Sequence, residues 1–125
     1  MDSKDFLTKH GVIYLVFALA LFYMPTLIWP MYGVEINDKY AYFLSQHTSI
    51  FLGGLAAVSL LLREIEDKKA IKQLLKALIT TNLLGVFITA YAGLIGVIVG
   101  FGWSDPIFFT ILTTLSILQF KKYNR

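Results

Sequence analysis

The residues best equipped for chemistry in this apolar chain lie in the run YFLSQHTSIF, Tyr42 to Phe51. There Ser45, Gln46, His47, Thr48 and Ser49 follow one another. A neutral imidazole carries one donor and one acceptor, and a glutamine amide carries both kinds of group. Such a run can bind a polar ligand, hand on a proton, or satisfy backbone groups that a bent helix leaves free. Asn82, Thr89 and Thr26 are the other polar residues set within apolar stretches. Cysteine is absent, which excludes thiol redox chemistry, disulfides and cysteine metal sites.

What positions these residues follows from composition. Of the 125 residues 57% are hydrophobic and 15% charged, with a mean hydropathy of +0.67. A soluble domain of that size has too little interior to hide so much apolar surface. The expected class is therefore an all-α integral membrane protein in which the whole chain forms one domain, with the lipid bilayer as its solvent. Four apolar segments stand out, at about Gly11 to Met31, Ala41 to Leu62, Leu74 to Gly100 and Pro106 to Phe120. A spanning helix needs roughly 20 residues. The third segment is long and should tilt or break near its glycines. Asp105-Pro106 reads as the start of the fourth helix, with a capping carboxylate and proline at the first helical position.

Charge sets the threading. Of the eleven lysines and arginines, Lys4 and Lys9 precede the first segment. Arg63, Lys68, Lys69, Lys72 and Lys76 lie between or beside the second and third, and Lys121, Lys122 and Arg125 follow the fourth. Only Lys39 falls in the other two loops. The positive-inside rule then predicts a four-helix transmembrane bundle, up-down-up-down, in the plasma or inner membrane with both termini cytoplasmic. Trp29, Tyr32, Tyr40, Tyr42, Phe101 and Trp103 fall at the outer boundary, as an interfacial aromatic belt does.

With this threading His10 lies at the cytoplasmic edge and His47 near the outer one, so the pair is not expected to share a haem or a metal. No cluster has metal-ligand spacing. The glycines of GLIGVIVGFG follow no strand and make no nucleotide loop. No serine or carboxylate joins a histidine in a catalytic arrangement. No catalytic residue, metal or cofactor is expected, and no nucleic-acid partner either, since the basic balance reflects the orienting lysines.

At about 100° per residue, Asn82, Gly85, Thr89, Gly93, Gly96 and Gly100 share a stripe about 80° wide on the third helix. Small residues at such spacing let helices approach closely in lipid. On the second helix Gln46, Gly53, Gly54 and Ala57 form the matching face, with His47 at its edge. A short loop joins these two helices, so they are expected to be antiparallel neighbours, with Asn82 and Gly85 level with Gly53 and Gly54. Pro25 frees the carbonyl of Leu21, which then needs another partner. Gln46, His47, Thr26 and Thr89 come to one depth and are expected to form a polar layer that supplies hydrogen bonds to the kinked outer half.

Three short motifs carry a resemblance: Pro30 with Gly33 at the end of the first helix, LGGLA at Leu52 to Ala56, and Gly102-Trp103 entering the last helix. In layout the chain resembles the small four-helix membrane proteins grouped around the DoxX-like families. Where many of these carry an arginine in the second helix, Gln46-His47 stands here. The resemblance implies an accessory or scaffold role beside a larger membrane complex, and it carries over no catalytic residue. Two functions follow as expectations. One is an accessory or structural subunit packing against a larger membrane protein or forming a homo-oligomer. The other is a small-molecule or ion binder or transporter using the polar layer around Gln46 and His47.

Overall fold

A computed structural model of the chain describes residues 1–123; Arg125, one of the cations counted above, lies outside them. The elements are α1 (Ser3–Tyr23), α2 (Pro25–Met31), α3 (Lys39–Leu61), α4 (Lys68–Leu94), a 3-10 turn at Gly100–Trp103 and α5 (Ser104–Tyr123). Four helical stretches are long and apolar enough to cross a membrane: Ser3–Tyr23, Lys39–Leu61, Lys68–Leu94 and Gly100–Tyr123. Their outward residues include Val16, Leu19, Leu61, Leu84, Phe87 and Leu94, all exposed.

Aspartates start three of the helices. The carboxylates of Asp2, Asp38 and Asp67 accept from the N–H groups of Asp5, Ala41 and Ala70, each at 2.8 Å. Such caps satisfy donors that the first turn leaves free. The first helix therefore begins well before Gly11, and Gly11 is a packing position within it. It ends at Tyr23 because Met24 precedes Pro25 and a residue before proline is pushed out of the helical region; Met24 sits at φ −131°. Pro25 then opens the separate short helix α2. The third span breaks as its glycines suggest. α4 stops at Leu94, and the chain turns through Gly96 at φ +81° and Gly100 at φ +57°, values that favour glycine. The last helix begins at Ser104, so Asp105 and Pro106 both lie in its first turn, with Asp105 inside the helix and not capping it.

The helices pack as two close pairs, α1 with α3 and α4 with α5, and α1 also approaches α5. In the first pair Gly11 meets Leu60 and Ala56, Gly53 meets Ala18, and Ser45 bonds Leu21. In the second, Gly85 lies against Phe109 and Gly93 against Trp103. Residue numbers thus rise along one member of each pair as they fall along the other. Two apolar clusters hold the pairs. One is Phe6, Leu7, Ile71, Leu75 and Leu78, and the other is Tyr14, Ala56 and Leu112.

The expected neighbours across the short loop, α3 and α4, are not a close pair. Their small faces turn elsewhere. Gly85 packs on α5, Gly53 packs on α1, and Gly54 has no neighbour within 4 Å of an added Cβ. Gly96 and Gly100 serve the turn and are likewise open. On α3 the buried residues are Ser45, Ser49, Ala56 and Ser59, whereas Ala57 is exposed. The inward face is therefore a serine and alanine stripe at four- and three-residue steps, rotated from the face centred on Gln46. These residues are small, so α1 comes close to α3.

One end of the bundle gathers both ends of the described chain. The Ser3 N–H donates to the Tyr123 hydroxyl at 3.1 Å. Lys122 and Gln119 donate to the Met1 carbonyl at 2.8 and 3.2 Å. Lys4 pairs with Glu64 at 3.3 Å. At the other end the Val99 N–H donates to the Tyr32 carbonyl at 3.1 Å.

Candidate functional site

The expected polar layer divides in the structure. Ser45 answers the need created at Pro25: its hydroxyl donates to the Leu21 carbonyl at 2.8 Å and accepts from Trp29 Nε1 at 2.7 Å. Gln46 Nε2 donates to the Phe22 carbonyl at 3.3 Å. Ser45 and Gln46 thus supply the broken helix with partners for two of its last carbonyls. His47 takes no part. It is exposed, with its ring against Phe43 and Phe51 on its own helix. Thr26 is exposed too, and Thr89 donates back to the Gly85 carbonyl of its own helix at 2.7 Å. Gln46, His47, Thr26 and Thr89 do not bond one another.

Asn82, the remaining candidate of the five, lies at the centre of a different cluster. Its side chain is 0% exposed and His10 is 2% exposed. Asn82 Nδ2 lies 3.0 Å from His10 Nε2. The amide nitrogen can only donate, so Nε2 accepts, and the histidine proton sits on Nδ1, facing Ser59 Oγ at 3.5 Å. Asn82 Oδ1 accepts from the Tyr14 hydroxyl. The Tyr14 ring stacks on His10, with centroids 4.7 Å apart. Four side chains from α1, α3 and α4 thus satisfy one another in a buried site. His10 is neutral in this arrangement. The cluster joins the two helix pairs by hydrogen bonds, which substitute for the close backbone contact that small residues supply within each pair.

A first segment starting at Gly11 would put His10 at the membrane edge. With α1 beginning at Ser3, His10 falls on the stripe of Ser3, Phe6, Leu7, His10, Gly11, Tyr14, Ala18 and Leu21, all buried. The signal was present in the three- and four-residue spacing of Phe6, His10 and Tyr14.

Toward the end where Tyr32 and Val99 meet, beyond Tyr14, the pairs part around a cavity of about 390 Å³. Its wall comes from every long helix and from the loops near Tyr32 and Val97. The wall is mostly apolar and carries six rings: Tyr14, Phe17, Trp29, Tyr32, Phe108 and Phe109. The Phe17 and Phe108 rings lie 5.2 Å apart. Thr48, Thr89 and Asp105 add the polar groups. Thr89 of the expected layer therefore faces a common space with Thr48, which was not assigned to that layer, and the two do not bond each other. The volume lies within the range of small-molecule pockets, which are mostly apolar with a few placed polar groups. No family model, no curated protein and no solved structure matches this chain.

Proposed function

We propose that this chain is a multi-pass protein of the cell membrane, threaded up-down-up-down with both termini cytoplasmic, that binds a small apolar molecule between its helix pairs. The observation that carries the binding reading is the aromatic-walled cavity of about 390 Å³. A recess of this size, with an apolar wall that includes six rings and a few polar groups, has the make-up of a small-molecule pocket, which favours a ligand over simple packing. The threading is supported by the contacts that gather Met1, Lys4, Glu64 and Tyr123 at one end, where the orienting cations also lie. The roles of accessory subunit and homo-oligomer rest on the resemblance in layout, and the cavity favours binding over them.

The test uses neopentylbenzene as a neutral apolar probe and the protein in lipid nanodiscs. Trp29 lines the cavity, so its fluorescence reports entry once Trp103 is replaced by phenylalanine. Saturable binding is expected after subtraction of empty nanodiscs. Ala92→Phe puts a ring into the cavity and should abolish it. Absence of saturable binding, or binding that Ala92→Phe leaves intact, would overturn the reading.

A further inference from the structure

Asp105 lines the cavity without a cation to match it. Among the described residues the ion pair is Lys4–Glu64, at the opposite end of the bundle. Lys39, the cation of the outer loops, holds its Nζ 5.2 Å from the centre of the Tyr40 ring. Asp105 itself is half-buried in the first turn of α5. A helix start accounts for an acid at this place in the sequence, since first-turn N–H groups lack partners. It does not account for a carboxylate in the wall of an apolar cavity, where desolvation is costly.

Several rings share this cavity with Asp105. Trp29, Tyr32, Phe108 and Phe109 line the same space. Burial raises the pKa of the Tyr32 hydroxyl and the nearby negative charge of Asp105 adds to that, against a hydrogen bond with Ser104 that lowers it. Ring faces carry partial negative charge and attract cations, more strongly when water is excluded. A carboxylate beside several rings suits an organic ammonium group. It suits a hard metal ion poorly, because calcium and magnesium take six or more oxygen ligands, and the polar wall offers few. Farther from Asp105 the cavity continues along α1 from Leu21 to Ile13, eight residues or about 12 Å at 1.5 Å per residue. That length is walled by Phe17, Leu52 and Ile88 and accommodates a hydrocarbon or aromatic body.

We infer that the cavity takes a hydrophobic organic cation, with its ammonium group at Asp105 beside Tyr32 and its apolar body along Phe17 and Leu52. The inference rests on the cavity-binding reading above and names the class of molecule that fills the space. The shared chemistry is a positively charged head on an apolar body, and Asp105 is the group that distinguishes it from a neutral guest.

Benzyltrimethylammonium and neopentylbenzene have the same shape and differ by the charge. Both are titrated into nanodisc-embedded protein carrying Trp103→Phe, with Trp29 fluorescence as readout. The cation is expected to bind about tenfold tighter than its neutral isostere, the scale of a desolvated charge contact. Asp105→Asn should remove that preference, and Asp105→Glu should restore it. If the asparagine variant no longer binds the isostere, its fold has suffered, and Asp105→Ser is read by the same comparison. Equal affinities in the parent, or a preference that survives the neutral replacement, overturns the cation inference and leaves the cavity reading standing. If neither probe binds the parent, the cavity reading itself falls.

Discussion

Asn82 and His47 show how differently two polar residues in apolar segments are used. Asn82 is buried and shares its amide between His10 and Tyr14. His47 is exposed and has rings as neighbours. Asn82→Leu leaves the His10 acceptor and the Tyr14 hydroxyl without partners in a dry site. Each orphaned group costs about 1–3 kcal/mol, so a loss of about 2–4 kcal/mol is expected in reversible unfolding by denaturing detergent. His47→Leu removes no buried bond and should change stability by less than about 0.5 kcal/mol. Equal effects of the two substitutions would mean that the buried cluster does not form. At this scale the sequence was legible in part. The polar run announced partners for the Leu21 carbonyl, and Ser45 supplies them. It did not announce which of its members turn inward, because adjacent residues on a helix differ by about 100° and the face had been centred on Gln46. The spacing of Ser45, Ser49, Ala56 and Ser59 was the better guide.

Among the elements, glycine has two separate uses. Gly85 is a contact position, where an added Cβ would lie 2.5 Å from the Phe109 ring. Gly85→Leu should therefore overpack the α4–α5 pair at a cost of about 1–3 kcal/mol. Gly54, also within a helix, has open space around it, and Gly54→Ala should be neutral or should stabilise α3 by up to about 1 kcal/mol through helix propensity. Gly96 is equally open but sits at φ +81°. There an alanine meets only backbone strain, of about 1–2 kcal/mol. Thermal unfolding in one detergent checks all three, and a loss at Gly54 equal to that at Gly85 would contradict the pairing. The number of long apolar helices was readable from hydropathy, but their bounds were not: α1 begins at Ser3 where Gly11 was expected, and α4 at Lys68 where Leu74 was expected. The pairing was not readable either. A short loop makes neighbours in sequence, but α1 and α3 share complementary small faces while α4 offers its glycines to Phe109 and Trp103 of the closing segment. Side-chain shape across two helices decides this, and one helix's periodicity does not contain it.

For the molecule as a whole, the two pairs are held together by the His10–Asn82 cluster at one level and part around the cavity at another. This division follows from residue size. Small residues close the contacts within each pair, and large rings such as Phe17, Phe108 and Phe109 hold the pairs apart. The cavity could not be read from the sequence, because its wall draws on residues from Ile13 to Phe109 and no local pattern marks them. The proposed threading adds to this architecture four spans with both termini on the cytoplasmic side. The chain contains no cysteine, so single cysteines at Asn37 and Lys69, both exposed, can be labelled without background. A membrane-impermeant maleimide applied to intact cells is expected to label position 37 and to leave position 69 unmodified until the membrane is opened. Labelling of position 69 from outside, or none at position 37, would contradict the threading.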